Sequence, residues 1–151
     1  MDLQCNNCSV TELKFEIKIE GDSNLLALPQ IYSHLNRRDI DIVTTENGLI
    51  VDEAGAKELM DFCRHFMDLE QVVFRINREA WKPFSEIETV LDMQWIDKVI
   101  QKELISCHYQ PIVNGNEEIF AYEMLARFQN EDGSMIYPNE IFPAAKIRGR
   151  L

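Results

Sequence analysis

The feature that most constrains this chain is a change of hydrophobic period near its N-terminus. Residues 14–20 alternate strictly between charged and apolar side chains, which predicts a strand with one buried and one exposed face. Residues 21–24 end this strand and offer a helix N-cap, and a helical pattern then places Leu28, Ile31 and Leu35 on one side. A strand followed directly by an amphipathic helix favours a fold of mixed α and β structure.

The next stretch repeats this change of period. Short strands at residues 40–43 and 49–51 flank Asn47-Gly48, a strong signal for a tight turn. Asp52 opens a second amphipathic helix, and residues 71–76 form a last strand. The order strand, helix, strand, strand, helix, strand predicts an α+β domain of the split βαβ, ferredoxin-like kind. Because that fold supports many activities, it does not identify a function.

The regular pattern stops around residues 81–84, where we place a domain boundary. Residues 1–12 are expected to be a mobile N-terminal segment, and residues 13–84 form the accessory α+β domain. Residues 85–106 read as one connecting amphipathic helix. Residues 107–151 are a separate segment.

That last segment begins with two apolar runs, at residues 108–113 and 118–123, joined by Asn114-Gly115. Asn-Gly is a hairpin signal, so the two strands are predicted to be antiparallel. A parallel pair would need a crossover of about a dozen residues, and none fits between them. A further helix begins near Asn139.

Three motifs follow one another in this segment. Residues 109–113 read Tyr-Gln-Pro-Ile-Val, and residues 122–128 read Tyr-Glu-Met-Leu-Ala-Arg-Phe. The third motif has two parts: residues 133–138 read Gly-Ser-Met-Ile-Tyr-Pro, and residues 141–146 read Ile-Phe-Pro-Ala-Ala-Lys. In order and spacing these motifs resemble the start of the EAL domain, the phosphodiesterase domain of bacterial cyclic di-GMP signalling.

The resemblance implies a fold as well as an activity. The family domain is a (β/α)₈ barrel, which needs about 250 residues, so residues 107–151 are expected to be the opening antiparallel hairpin of an incomplete barrel. The chain departs from the family at Met124, which replaces the signature Ala, and at Lys146, where Glu is common. Met124 is expected to occupy a packing position.

The resemblance also assigns roles to five residues. Glu123 stands at the position of a ligand to Mg²⁺ or Mn²⁺. Gln110, Leu125, Arg127 and Pro138 would line the groove for cyclic di-GMP, with Arg127 binding a phosphate oxygen and a guanine near Gln110 and Pro138. Hydrolysis by two metal ions needs several oxygen ligands, and in the family the others lie on later strands. We therefore expect this chain to be inactive by itself.

A second metal hypothesis concerns Cys5 and Cys8. Their Cys-x-x-Cys spacing is half of a zinc-ribbon pattern, whereas a structural Zn²⁺ usually has four ligands. The alternative is an unpaired thiol pair in a mobile segment. A zinc site would have to be completed by other side chains, namely Cys63, His65, Cys107 and His108.

Charge limits the partners. With 15 basic and 26 acidic residues the formal net charge is −11, which disfavours nonspecific binding to nucleic acid polymers or anionic membranes. No apolar run approaches the roughly 20 residues of a membrane helix, and the start lacks a secretory signal. The cytoplasm is the expected location.

Two functions therefore follow as expectations. The first is the N-terminal portion of a cyclic di-GMP phosphodiesterase that yields linear pGpG. The alternative is a non-catalytic cyclic di-GMP receptor or protein-interaction module derived from an EAL domain. The acidic helical faces are expected to be solvated, and the exposed barrel edge or the helix at residues 85–106 would support self-association.

Overall fold

The computed structural model describes residues 10–151, and the predictions for Cys5 and Cys8 lie outside them. The described chain has mixed α and β structure with antiparallel sheets, as the sequence predicts, and neither sheet closes into a barrel. It divides into two compact units, with the boundary between Asp92 and Met93. Within the described residues no helix combines the length and apolar character needed to cross a bilayer.

The first unit, Thr11–Asp92, contains five strands, four helices and two short 3₁₀ turns. The strands are β1 (Phe15–Ile19), β2 (Val43–Thr45), β3 (Gly48–Val51), β4 (Val72–Ile76) and β5 (Lys82–Pro83). The helices are α1 (Asp22–Leu25), α2 (Leu28–Arg37), α3 (Glu53–Phe66) and α4 (Ile87–Asp92), and the 3₁₀ turns are Leu69–Gln71 and Phe84–Glu86.

The strands of this unit form one antiparallel sheet in the order β2-β3-β1-β4-β5. β1 is central, and Ile17 lies opposite Leu49 of β3 and Phe74 of β4. The first four strands with α2 and α3 thus follow the predicted strand–helix–strand–strand–helix–strand order, and β1 separates the two strands that the second helix joins.

The alternation of β1 decides which face of this sheet is buried. Phe15, Ile17 and Ile19 are fully buried, together with residues of α2 and α3, whereas Glu16 and Lys18 alternate with them on the other face. On that face Nε of Arg75 lies 2.6 Å from Oε2 of Glu16, its cross-strand partner.

The predicted N-cap in residues 21–24 is wrong. No side chain caps α1 or α2, and Asn24 is buried instead. Its Nδ2 donates to the carbonyl of Asp68 (2.9 Å), and its Oδ1 accepts from the N–H of Asp68 (3.0 Å). The Asn24 side chain therefore bonds to the backbone of Asp68, which is distant in sequence, and caps no helix. Asp52 does cap α3, because its Oδ1 accepts from the N–H of Gly55 at 2.8 Å.

The second unit contains the hairpin. Its described elements are α5 (Trp95–Gln101), β6 (Ile105–Val113), β7 (Ile119–Gln129), β8 (Met135–Ile136) and α6 (Pro138–Ile147). Its sheet has the order β6-β7-β8 with antiparallel neighbours, which confirms the predicted hairpin. The side chains of Phe128 and Ile136 are buried with Ile96 and Val99 of α5 and with apolar residues of α6.

The single helix predicted over residues 85–106 is wrong. Two helices, α4 and α5, occupy this stretch, and β6 already begins at Ile105. The amphipathic pattern gives no sign that α5 ends at Gln101, because this end depends on backbone geometry. Glu103 takes a left-handed conformation (φ 51°), and the N–H of Leu104 returns to the carbonyl of Val99 at 3.0 Å. This is the hydrogen-bond pattern that ends many helices.

A substitution at Gly48 tests the close contact between β3 and β1 in the first sheet. A Cβ at this position would lie 1.8 Å from the backbone carbonyl oxygen of Ile17 on the adjacent strand. Gly48→Ala should lower the free energy of unfolding by roughly 1–3 kcal/mol, because neither backbone can move without disturbing the ladder. Urea unfolding followed by circular dichroism measures this. Gly115→Ala is the matched control, since a Cβ there meets no atom within 4 Å. Equal midpoints for the two variants would contradict the proposed close contact.

Candidate ligand-binding face of the second sheet

Four of the five residues assigned by the resemblance lie on one face of the β6-β7-β8 sheet. Glu123, Leu125 and Arg127 are spaced by two along β7, and successive side chains of a strand point to opposite faces. Gln110 of β6 is the direct cross-strand partner of Glu123, so it shares that face. We call these four residues the candidate face.

The hydrogen-bond ladder defines the spacing on this face. It begins where the N–H of Gln129 donates to the carbonyl of Leu104 at 3.0 Å. Because antiparallel partners alternate between hydrogen-bonded and non-hydrogen-bonded pairs, Gln110 and Glu123 form a hydrogen-bonded pair. Their Cβ atoms are then about 5 Å apart. An amide and a carboxylate therefore stand side by side.

Burial distinguishes the candidate face from the other one. Phe128 and Ile136 point away from the candidate face and are buried against α5 and α6. Toward the turn of the hairpin, the face that Phe128 belongs to carries Tyr109, Tyr122 and Met124, which are 65%, 61% and 64% exposed. The prediction that Met124 occupies a packing position is therefore wrong for the described chain.

Arg127 is the basic residue of the candidate face. It is half-buried, and its Nη1 donates to the carbonyl of Ala126 at 3.2 Å. No carboxylate of residues 10–151 forms an ion pair with it. A guanidinium without a carboxylate partner can give charge-assisted hydrogen bonds to a phosphate.

Pro138 lies elsewhere. It occupies the first turn of α6, where its missing N–H costs no helical hydrogen bond, and the N–H of Tyr137 before it donates to Oε2 of Glu140 at 3.0 Å. The structure thus places four assigned residues together and the fifth on a different element.

Sequence reasoning did not place two further residues on the same side of the sheet, next to the candidate face. Ser106 lies opposite Arg127, and His108 lies opposite Leu125. The two-residue spacing of Ser106, His108 and Gln110 was the available signal. It becomes usable only when the register with β7 is known.

The side chains present do not fit a resident metal ion. Mg²⁺ takes six oxygen ligands in near-octahedral geometry, and Glu123 is the only carboxylate on the candidate face. Among residues 10–151 no three His, Cys, Asp or Glu side chains come together as a metal site.

The zinc hypothesis gains no support from the described part of the chain. Cys63 is buried in the first unit, and burial raises the pKa of its thiol to about 12. His65 is exposed, and its Nδ1 lies 2.8 Å from the carbonyl oxygen of Asp61 in its own helix. Cys107 is exposed on β6.

Two clefts of the second unit, of about 360 and 320 Å³, flank the half-buried Trp95 and include neither Glu123 nor Arg127. On the candidate face itself, Gln110 and Glu123 are exposed.

A buried ionic cluster supports this unit. Oδ2 of Asp97 on α5 accepts from Nε and Nη2 of Arg148 (3.1 and 2.7 Å), and Oδ1 accepts from Nε of Arg150 (2.7 Å). The Arg148 side chain is 1% exposed. Burial raises the pKa of Asp97, but the hydrogen bonds and charges of Arg150 and Arg148 outweigh it and lower that pKa below its usual value. The expectation that acidic helical residues are solvated is thus wrong for Asp97.

Comparison with protein-family models and with curated proteins finds no match to this chain.

Asp97 provides a test of the ionic cluster. Asp97→Asn should lower the free energy of unfolding by about 3–5 kcal/mol at neutral pH, because it removes the carboxylate that a buried guanidinium binds. The loss of stability is measured by urea unfolding, followed by the fluorescence of Trp95 in a Trp81→Phe background. Asp92→Asn, at an exposed position of α4, is the matched control.

The same cluster fixes the direction of a pH dependence. Because the pKa of Asp97 is lower in the folded than in the unfolded chain, the unfolded chain binds the proton first as pH falls. The stabilisation is complete above about pH 5 and is lost as pH falls through the folded-state pKa. The difference between Asp97→Asn and the parent chain should shrink over that range. A constant difference would show that Asp97 stabilises without its charge.

Proposed function

We propose that this chain is the N-terminal portion of a cyclic di-GMP phosphodiesterase of the EAL family, which as a complete enzyme hydrolyses cyclic di-GMP to linear pGpG. The observation that carries the proposal is the candidate face. Gln110, Glu123, Leu125 and Arg127 come from two motifs of the resemblance, and the register brings them to one side of one sheet.

Each of these side chains suits a different part of the ligand. Arg127 offers its guanidinium to a phosphate oxygen, since no carboxylate of the described residues neutralises it. The Gln110 amide can both donate and accept, as a guanine edge requires. Leu125 lies between Glu123 and Arg127 on the same face of β7. It is half-buried and supplies apolar contact to a base.

Glu123 is the residue proposed to hold a metal ion in the complete domain. The donor set present in residues 10–151 is too small for Mg²⁺ or Mn²⁺. The proposal therefore requires that the other ligands, and the group that activates water, come from residues outside this sequence. The 151 residues would contribute substrate-binding groups and one carboxylate.

One observation favours the alternative function. The hairpin exposes apolar side chains on both faces, including Ile112, Tyr122 and Met124, which are 46%, 61% and 64% exposed. Exposed apolar surface of this kind is typical of interaction sites. A non-catalytic receptor or protein-interaction module derived from an EAL domain would use the same surface without a complete metal site.

Binding of cyclic di-GMP is the direct test of the candidate face. In titration calorimetry with Mg²⁺ and then Ca²⁺ we expect weak, saturable binding. Arg127→Ala should weaken this binding by tenfold or more, because one charge-assisted hydrogen bond contributes about 1.5–3 kcal/mol. Arg64→Ala is the matched control, since Arg64 lies in the first unit and pairs with Glu88. Absence of binding, or equal affinities of the two variants, would count against the proposed function.

Turnover is a separate test. The purified 151-residue chain should release no linear pGpG from cyclic di-GMP with Mg²⁺ or Mn²⁺, because one carboxylate cannot supply the ligands that two ions need. Chromatographic detection of the product measures this. Metal-dependent turnover that disappears in Glu123→Gln would show that the ligand set is complete within this sequence.

A further inference from the structure

The dipeptide Asn-Gly occurs twice in the sequence, at residues 47–48 and 114–115, and each copy lies in the turn of a hairpin. In this dipeptide the backbone nitrogen of Gly can attack the side-chain amide carbon of the preceding Asn, because Gly has no Cβ to hinder the approach. The attack needs a Gly nitrogen that is free of hydrogen bonds and a peptide that can turn toward the Asn side chain. The two turns differ in both respects.

The turn at Asn47 holds its peptide in the first sheet. The carbonyl of Asn47 accepts from the N–H of Ile19 at 2.8 Å. Gly48 is the partner of Thr45 across the two-residue turn, so its N–H is directed to the carbonyl of Thr45. Gly48 is also buried, and its backbone lies so close to the carbonyl of Ile17 that no Cβ would fit. The attacking nitrogen is therefore engaged in the sheet and is released only by local opening.

The turn at Asn114 leaves the corresponding nitrogen free. Gly115 is exposed, and its N–H donates no hydrogen bond to any of residues 10–151. A Cβ on Gly115 would meet no atom within 4 Å, so the space around this residue is open. The carbonyl of Asn114 accepts from the N–H of Glu117 at 3.1 Å, which is a bond within the turn itself. The folded chain thus presents the attacking nitrogen to solvent.

The Asn114 side chain is held as an electrophile. Its Oδ1 accepts from the N–H of Asn116 at 2.9 Å and from the N–H of Glu118 at 3.0 Å. The ring that the first of these bonds closes contains both Cγ of Asn114 and the nitrogen of Gly115, which are the two reacting atoms. When Cγ is attacked, negative charge develops on Oδ1, and two backbone N–H groups at these distances stabilise it.

The leaving nitrogen of the amide has a partner as well. Nδ2 of Asn114 donates to Oε2 of Glu118 at 3.0 Å. This bond holds the amide with Nδ2 toward the carboxylate and Oδ1 toward the two N–H groups. Glu118 is thus a positioning residue for the amide, and the turn orders the electrophile without engaging the attacking nitrogen.

We propose that Asn114 is a site of spontaneous deamidation in the folded protein, and that Asn47 is protected from the same reaction. The nitrogen of Gly115 gives its proton to solvent base and bonds to Cγ of Asn114. The bond between Cγ and Nδ2 then breaks, and Nδ2 takes up protons from water and leaves as ammonia. Water opens the resulting succinimide at either ring carbonyl, which leaves an aspartate or an isoaspartate at position 114.

The modification changes the end of the hairpin. A carboxylate at position 114 places a second negative charge beside Oε2 of Glu118, where Nδ2 was a donor. In an isoaspartate the main chain also gains a methylene group, which disturbs the turn that closes the pair Val113 and Ile119. The inference does not depend on the proposed function, because it uses none of the residues of the candidate face.

The two asparagines can be compared within one molecule. The parent chain is incubated at one mildly alkaline pH in heavy-oxygen water, folded in one sample and unfolded in guanidinium chloride in the other. Peptide mapping by mass spectrometry then gives the rate at each site. In the unfolded chain the ratio of the rates at Asn114 and Asn47 should be close to one. In the folded chain it should rise roughly tenfold or more, because only Asn47 requires local opening.

A variant tests the attacking nitrogen. Gly115→Ala should slow deamidation at Asn114 severalfold, since the added methyl group hinders the approach of the nitrogen to Cγ. The open space around Gly115 means that the variant keeps the fold, which its circular dichroism spectrum verifies. Asn47 of the same variant is the internal control, and its rate in guanidinium chloride should equal that of the parent chain.

Two results would overturn the inference. They are equal rates at the two asparagines in the folded chain, and a rate at Asn114 that Gly115→Ala leaves unchanged. Neither measurement involves cyclic di-GMP, whose binding is measured separately with Arg127→Ala. Failure of the deamidation proposal and failure of the proposed function are thus distinguishable.

Discussion

The two-residue alternation of β7, held in register by β6, is the constraint on which the second unit depends. Phe128 is buried against α5 and α6, and this fixes the side to which every second residue points. The side chains of Glu123 and Arg127 point to the opposite face of β7 from Phe128, so they lie on the candidate face. A slip of one residue would turn Arg127 toward the buried side and expose Phe128. The energy that stabilises this sheet and the geometry of the candidate face thus have the same origin.

The helices beneath the sheet need a constraint of their own. Asp97 of α5 binds Arg148 and Arg150, which follow in sequence after the core residues of α6. The Arg148 side chain is almost completely buried, and the Asp97 carboxylate, 2.7 Å from its Nη2, offsets part of the cost of burying its charge. This cluster connects the first and last described helices of the unit. It helps to hold the apolar layer in place behind the candidate face.

The sequence predicted features whose causes are local. The alternation of β1, the Asp52 cap of α3 and the turn at Asn114 were all readable, because each depends on neighbouring residues. The errors have non-local causes. Asn24 binds the backbone of Asp68 instead of capping a helix, and a left-handed Glu103 ends α5 within an uninterrupted amphipathic pattern.

The sequence by itself determined the order of the elements, the antiparallel hairpin and the motifs that resemble an EAL domain. Only the tertiary structure decided that Gln110 lies beside Glu123 and that Arg148 is buried on Asp97. The physical reason is that strand register and burial are set by contacts between residues far apart in the chain. Periodicity fixes which residues share a face, whereas packing fixes which face is covered.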